Sequence, residues 1–536
     1  MTQPRPRRIL VVGNGMAGAR LAEELRRRDP AGSSLAVTVV GEEPHAAYNR
    51  VLLSTVVAGA ITPRETRLKP DGWWEAHGID VRTGTRVASV DVEARTAAVC
   101  RTTGPDAAPA TETIEWDELV LATGSSSFVP PVAGIDPEPA PGRPDGGVVA
   151  FRTVDDCARI VELAEPGSHA VVLGGGLLGL EAARGLLGHG VDVTIVHPQH
   201  FPMDRQLDAD GGAVLARVVR RLGARLVLGH FVVARQAADA AGGPRVVLDD
   251  DRVLPADLVV VAAGVRPRVD LAASIGVEVN RGIVVDDRLA TSLPHVHAIG
   301  ECAEHRGEVA GLVQPCWEQA QVLADVLSGA QPTAAYTGTT TITRLKAHDI
   351  DLASMGDVET EIHDPDHEVL AFTDPSRGRY AKLVLRQDRL VGAILLGVGD
   401  ASGPLTQLFD TRAPVPRDRL SLLLGRALTR GAAPETASLA EMPGSTVLCR
   451  CNTVTKSEIV GAWQEGAHTV PAVAERTRAT TGCGGCSSAV QGICDWLRST
   501  DVDVRPEPRT AQAAAQAAST CPEPRTAPAA LTEGAA

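Results

Sequence analysis

Four cysteines in the C-terminal part of the chain fall into two tight pairs, Cys449 with Cys451 and Cys483 with Cys486. The spacing is C-x-C, 31 residues, then C-x2-C. Four thiolates in that pattern suit tetrahedral zinc or an iron–sulfur cluster, with reactive thiols holding no metal as a third reading. A C-x-C pair is uncommon in zinc ribbons, where C-x2-C stands on both sides. Gly482, Gly484 and Gly485 keep side chains away from a metal and leave main-chain N–H groups free for sulfur.

Two glycine turns are the other residues with evident chemistry. Gly13-Asn14-Gly15-Met16-Ala17-Gly18 matches G-x-G-x-x-G between an apolar run and a helical pattern. The first glycine permits the turn, the second admits a pyrophosphate to the backbone, and the third lets helix and strand pack closely. The helix N-terminus then offers positive dipole to the phosphates. Glu42 or Glu43, just past the next β-branched run, is placed to accept a hydrogen bond from a ribose hydroxyl. The plainer alternative is a glycine-rich turn with no ligand. Gly174-Gly175-Gly176-Leu177-Leu178-Gly179 repeats the device. There the second strand ends on His197 rather than an acid. A carboxylate would bind a free 2′-hydroxyl and repel a 2′-phosphate; an imidazole does neither strongly. NADH and NADPH therefore both stay open, and a purely structural histidine weighs equally with ribose contact.

The elements that must position these turns follow a single grammar. Residues 8–43 and 168–197 each read as strand, glycine turn, amphipathic helix, strand, with the turns about 160 residues apart. Two such units predict two nucleotide-binding domains and an α/β, doubly wound architecture. Further short apolar strands are expected at 118–124, 257–267 and 295–302, and a hairpin or meander at 380–398. Pro/Gly/Ala-rich stretches at 130–147 and 431–445 read as linkers.

Composition sets the outer bounds. A chain of 536 residues is long enough for three or four domains, and a net charge of −14 argues against nucleic acid as the main partner. Ten cysteines are too sparse for a secreted disulfide scaffold. The longest apolar-or-glycine run, Ala170–Leu180, falls short of the roughly 20 residues of a spanning helix, so no membrane segment is expected. The start shows no signal-peptide core, which makes a cytoplasmic protein the default.

An ordered set of motifs carries a resemblance: VVGNGMAG, EEPHAAYNRVLLS (42–54), LATGS (121–125), GGGLLGLEAARGL, RQLD (205–208), AAGVRPR (262–268) and HAIGECAE (297–304). The chain resembles the flavoprotein reductases with two dinucleotide-binding domains. Within them it is similar to the N-terminal half of assimilatory NAD(P)H-dependent nitrite reductase large subunits. The resemblance implies FAD at the first turn and NAD(P)H at the second. It further implies that Ala122-Thr123-Gly124 approaches the flavin dinucleotide and that Glu301, after Gly300, binds its ribityl chain. Arg50 and Ser54 would line that cofactor. Glu181 would act where nicotinamide meets flavin, with Gly264 near the pyridine nucleotide. A helix N-cap remains the alternative for Glu301, and a solvated surface position for Arg50. Disulfide-using members of the superfamily carry an early redox C-x4-C, whereas residues 41–60 here hold no cysteine.

Residues 447–494 resemble the bacterioferritin-associated-ferredoxin-like [2Fe-2S] domain, with its C-x-C-N opening, T-K-x-E-I helix start and T-G-C-G-x-C close. Thr455 is the expected N-cap and Glu458 completes a capping box. The resemblance assigns the cluster to Cys449, Cys451, Cys483 and Cys486. Cys302, Cys316 and Cys494 read as packing residues. Full nitrite reductase large subunits continue into a sirohaem/[4Fe-4S] domain; only 50 residues follow Cys486. The chain is therefore expected to resemble the electron-transfer subunit of assimilatory nitrate reductases. It would pass electrons from NAD(P)H through FAD and the cluster to a nitrate or nitrite reductase catalytic subunit. A second implication is a redox or iron-handling protein that meets bacterioferritin. A third, an NAD(P)H oxidase or peroxidase, lacks a peroxidatic cysteine near the flavin. A homodimer stays open. The expected domains are 1–150 and 266–335 for FAD, 151–265 for NAD(P)H, a reductase domain at 336–430 and a linker at 431–445. A small helical [2Fe-2S] domain at 446–500 and a disordered tail at 501–536 complete them.

Overall fold

RRILVV, the strand β1 (Arg7–Val12), buries its last four side chains whichever face they point to, as an inner strand of a parallel sheet requires. It leads through the first glycine turn into α1 (Met16–Arg28) and on to β2 (Leu35–Val40). Their sheet has five parallel strands in the order 296–298, 118–121, β1, β2, 79–82. The strand at 296–298 lies far along the sequence, so this module is built from two separate pieces of chain. The protein is seen in a computed structural model that describes residues 5–102, 112–136, 147–240, 242–345, 347, 349–424, 442–449, 452, 454–481 and 486–500. Cys451, Cys483, the expected tail, most of the 431–445 linker and part of the 130–147 stretch lie outside the described residues.

The second module repeats the first. β3 (His169–Leu173), α2 (Leu177–Gly188) and β4 (Asp192–His197) join a parallel sheet ordered 225–228, β4, β3, 258–261, 148–150. The strand at 148–150 pairs with 258–261, so this sheet takes in residues just ahead of the expected boundary at 151. After β4 the chain runs into α3 (Ala209–Arg221), whose N-cap is Asp208.

Five antiparallel strands follow: β5 (Ile342–Leu345), β6 (Leu352–Gly356), β7 (Glu368–Asp374), β8 (Arg379–Arg386) and β9 (Arg389–Leu396), ordered β5-β6-β9-β8-β7. The β8–β9 turn places Gln387 and Asp388 at φ of 50° and 60°, the signature of a two-residue hairpin with matched twist. This is the hairpin expected at 380–398. The helix α4 (Gly399–Thr411) follows the sheet. The last module has two short strands, β10 (Val447–Cys449) and β11 (Val454–Thr455), and three helices, α5 (Lys456–Gln464), α6 (Val470–Thr477) and α7 (Ser487–Thr500). Thr455 and Glu458 form the expected capping box. Cys494 is fully buried beside Ile459, Trp463 and Val490, in the packing role assigned to it. Among the described residues no helix is long and apolar enough to cross a membrane.

Candidate functional site

The two glycine turns are built alike. Gly13 has φ +121°, and a Cβ there would lie 2.0 Å from the Ala122 carbonyl oxygen. Gly174 has φ +115°, with the Ala262 carbonyl oxygen 2.4 Å from the same imaginary atom. Gly18 and Gly179 face the carbonyls of Gly13 and Gly174 at 2.0 and 1.9 Å, so a side chain would pry helix from turn. Gly15 and Gly176 are different: nothing stands within 4 Å of a Cβ on either. They are also the N-caps of α1 and α2, and neither helix receives a capping side chain. Asp208, Thr455 and Thr469, by contrast, cap their helices. Unclaimed N–H donors above an open glycine form an anion cradle. Asn14 adds to this at the first turn, since both polar atoms of its carboxamide are buried without a partner. These features fit a dinucleotide pyrophosphate.

A cavity of about 1610 Å³ opens from the first turn. Gly13, Asn14, Gly15, Met16 and Ala17 line one end, with Glu42, Glu43, Arg50, Ala122, Thr123, Gly124, Gly300 and Glu301 around it. Glu181, buried near the start of α2, lines it from the second module, and Thr406, Gln407 and Asp410 of α4 from the third. The cavity continues to Cys449 and Cys486. Residues expected at the flavin and two expected cluster ligands thus share one space.

Two ion pairs stand inside. Arg50 binds Glu43 and donates to the Arg152 carbonyl oxygen at 3.0 Å, while Tyr48 donates to Glu43 at 2.6 Å. Burial alone would raise the Glu43 carboxyl, but the Arg50 charge and these hydrogen bonds outweigh it and hold the group below its usual range. Arg152 binds Glu301, which also accepts from Ser125 at 2.8 Å. Arg50 is therefore a half-buried cavity residue and not a solvated one. Glu301 sits in a short 3-10 turn (Gly300–Cys302) with its carboxylate engaged by Arg152. Arg152 was not legible as a site residue: it lies 149 positions from Glu301 and outside every motif.

Several expected residues are engaged by protein partners or lie outside the cavity. Glu43 is taken by Arg50 and Tyr48, and exposed Glu42 accepts from Arg268 at 2.8 Å. Ser54 is buried with an unpartnered hydroxyl and does not line the cavity. Gly174, Gly176, Gly179 and Gly264 line the second turn and its surroundings, apart from the cavity. His197 is buried beneath the second turn, accepting from the Gly175 N–H at 3.1 Å.

At the far end, the Cys486 thiol hydrogen-bonds Cys449 and, against the opposing effect of burial, lowers the Cys449 thiol to about 7. Main-chain N–H groups of Thr480 and Asn452 act in the same direction. The Asn452 carboxamide lies 3.6 Å from the Cys449 sulfur. Adjacent thiols in a donor-rich pocket fit metal ligation. All seven described cysteines are free, and none falls at 41–60. Cys302 and Cys316 are buried, as packing residues would be.

Comparison with known proteins converges on the same architecture. The family model of pyridine nucleotide-disulphide oxidoreductases matches residues 7–322, the rubredoxin NAD+ reductase C-terminal domain matches 342–410, and the BFD-like [2Fe-2S] binding domain matches 447–496. The chain is 36% identical to the nitrite reductase [NAD(P)H] of Bacillus subtilis and 35% identical to its assimilatory nitrate reductase electron transfer subunit, each over 93% of this chain. It spans only 58% and 60% of those two relatives. It is also 34% identical to rhodocoxin reductase of Rhodococcus erythropolis, over 60% of this chain and 72% of the relative. A ferredoxin reductase structure from Rhodopseudomonas palustris superposes with a TM-score of 0.66 at 25% identity, covering 79% of this chain and all of that one. The chain belongs to the pyridine nucleotide-disulphide oxidoreductase family, whose cofactors are FAD and NAD(P)H, and carries a [2Fe-2S] domain behind the reductase modules.

Proposed function

We propose that the protein is an electron-transfer subunit. It takes electrons from NAD(P)H and delivers them singly, by way of FAD and the [2Fe-2S] cluster, to a nitrate or nitrite reductase catalytic subunit in the cytoplasm. The observation that carries this reading is the single cavity joining the first glycine turn to Cys449 and Cys486. The name of the Bacillus subtilis electron transfer subunit supports the choice of partner.

Bound FAD supplies the conversion of a two-electron hydride into single electrons. The chain's own residues bind and orient. Gly13–Gly18 and the uncapped start of α1 hold the flavin's pyrophosphate, and Gly174–Gly179 with the start of α2 hold that of the nicotinamide dinucleotide. Arg50 and Arg152 keep positive charge beside Glu43 and Glu301, which orients the carboxylates that meet the flavin's hydroxyls. Leu177 and Leu178 bring apolar surface to the cavity and would exclude water, with Glu181 beside them on the side from which a nicotinamide would approach. Cys449, Cys451, Cys483 and Cys486 hold the cluster, with Asn452 donating toward sulfur.

The test is anaerobic reduction of the loaded protein. NADH or NADPH should bleach the flavin band, and a paramagnetic signal of the reduced cluster should follow. If the flavin bleaches while the cluster stays oxidised, the relay does not exist. Adding the purified catalytic subunit with nitrate or nitrite should then reoxidise the cluster; bacterioferritin in its place tests the iron-handling alternative.

A further inference from the structure

We propose that Asp204, held against His197, determines coenzyme specificity at the second glycine turn and selects NADH over NADPH. The inference rests on the reading of that turn as the nicotinamide dinucleotide site.

A dinucleotide-binding βαβ unit reads the adenosine ribose at the end of its second strand, where an acid accepts from the free 2′-hydroxyl. Here β4 ends on His197. Its ring is fully committed. The Gly175 N–H donates to Nδ1 at 3.1 Å, so Nδ1 carries no proton. The proton therefore sits on Nε2, which donates to Asp204 Oδ1 at 3.0 Å. With both ring nitrogens engaged, the imidazole has no free edge to offer a phosphate.

Asp204 is just as firmly placed. Its neighbour Met203 is fully buried in left-handed backbone at φ 56° and donates its N–H to the Gly175 carbonyl at 3.0 Å. Gln206 and Leu207 donate back to the Met203 carbonyl, each at 2.9 Å. The segment after β4 is thus stitched to the glycine turn, and the Asp204 carboxylate, 30% exposed, stands at the strand-end mouth. The strand end carries no acid of its own, yet the fold returns one to it through the histidine. A 2′-phosphate would meet a carboxylate there, whereas a 2′-hydroxyl would meet an acceptor. Arg205, exposed next door, is a rival feature, since a guanidinium would favour the phosphate.

Calorimetric titration of the full-length, cofactor-loaded protein with NAD+ and NADP+ separates the outcomes. NAD+ should bind about tenfold or more tightly than NADP+, the scale expected for one like-charge encounter at a partly exposed site. Asp204→Asn should tighten NADP+ and bring the ratio toward one, while Arg205→Gln should leave the wild-type ratio in place. Equal or tighter binding of NADP+ by the wild type overturns the proposal, as does an unchanged ratio in Asp204→Asn or a ratio that responds to Arg205→Gln alone. Binding of neither nucleotide would instead remove the assignment of the second turn itself.

Discussion

The carboxamide nitrogen of Asn452 lies 3.6 Å from the sulfur of Cys449 and 2.6 Å from the main-chain oxygen of Arg478. One side chain thus ties an expected cluster ligand to the end of α6, where Arg478 adopts left-handed backbone. Hydrogen bonds to ligand sulfur tune the potential of an iron–sulfur centre, favouring the state with more negative charge. Asn452→Ala should therefore lower the midpoint potential of the cluster while flavin content stays constant. Redox titration followed by electron paramagnetic resonance measures both, and an unshifted potential would show that the amide is only a spacer.

Arg478 also carries the last module toward the first. Its positive charge acts on Glu23 of α1, which pairs with Arg20 at 3.3 Å and with Lys69. Burial alone would raise the Glu23 carboxyl; these cations hold it below its usual range. Charge reversal by Glu23→Lys should weaken docking of the [2Fe-2S] module, and Arg478→Glu on that background should restore part of it. Because partly exposed pairs are worth only about 0–1 kcal/mol, the readout should be the salt dependence of cluster reduction and not melting temperature.

Asp117 supplies a pH test. Its carboxylate accepts the Arg8 main-chain N–H at 2.8 Å and two guanidinium N–H groups at 3.2 and 3.1 Å. The Arg8 hydrogen bonds hold it down at about 2. In an unfolded chain the group titrates near ~3.9. The folded value is the lower one, so the contribution to stability is complete above about pH 4 and is lost as pH falls toward 2. Asp117→Asn should flatten the acid limb of the stability curve in that window and leave its slope above pH 5 unchanged, as measured by urea midpoints.

How much of this was legible follows from the range of the interactions involved. The glycine turns, the Thr455–Glu458 capping box and the 380–398 hairpin are local, and local chemistry is written in consecutive residues. Glu43 and Arg50 were both singled out, but only the fold shows that they occupy each other. Arg152 is not legible because its partner Glu301 lies 149 positions away, whereas Tyr48, five residues from Glu43, stands inside a motif with nothing in its type to mark the contact. RQLD is legible as a motif without a role; the structure gives it one, since Asp208 caps α3 and anchors the antiparallel sheet through Tyr380 and Lys382. For His197 the sequence leaves a structural and a ribose-facing role equal; the fold buries its ring and ties it to Gly175 and Asp204, contacts that come from a turn and a loop on either side of it.

That anchor makes a stability prediction. Asp208 accepts from Tyr380 at 2.6 Å and from Lys382 at 3.0 Å while capping Gly211 at 2.9 Å. The Lys382 side chain is only 4% exposed, so its ammonium has almost no recourse to water. Asp208→Ala leaves that ammonium without a counterion, held only by the Val358 carbonyl oxygen at 2.9 Å, and removes a cap. The loss should be about 3–5 kcal/mol, the cost of breaking a buried pair from one side. Lys382→Met in the same background should recover much of it, because an apolar side chain needs no counterion. Thermal unfolding of the single and double variants checks the sign of the recovery.

The first glycine turn offers the sharpest separation of fold from function. Gly13 and Gly15 are two residues apart, yet a methyl group meets opposite surroundings at each. At Gly13 it would strike the Ala122 carbonyl oxygen at 2.0 Å, on backbone at φ +121° that L-residues avoid. Gly13→Ala should destabilise the module by at least about 1–3 kcal/mol, the cost of overpacking, before any backbone strain is added. At Gly15 the backbone is extended, φ −85° and ψ −167°, and no atom lies within 4 Å. Gly15→Ala should therefore fold normally without flavin and fail to retain it, because the methyl group stands where a pyrophosphate must approach the α1 N-terminus. The paired measurement is melting temperature of the flavin-stripped variants together with the flavin-to-protein ratio after reconstitution. A Gly15→Ala protein that melts like wild type and binds flavin like wild type would mean that the open cradle is not the phosphate site, and the cavity would need another occupant.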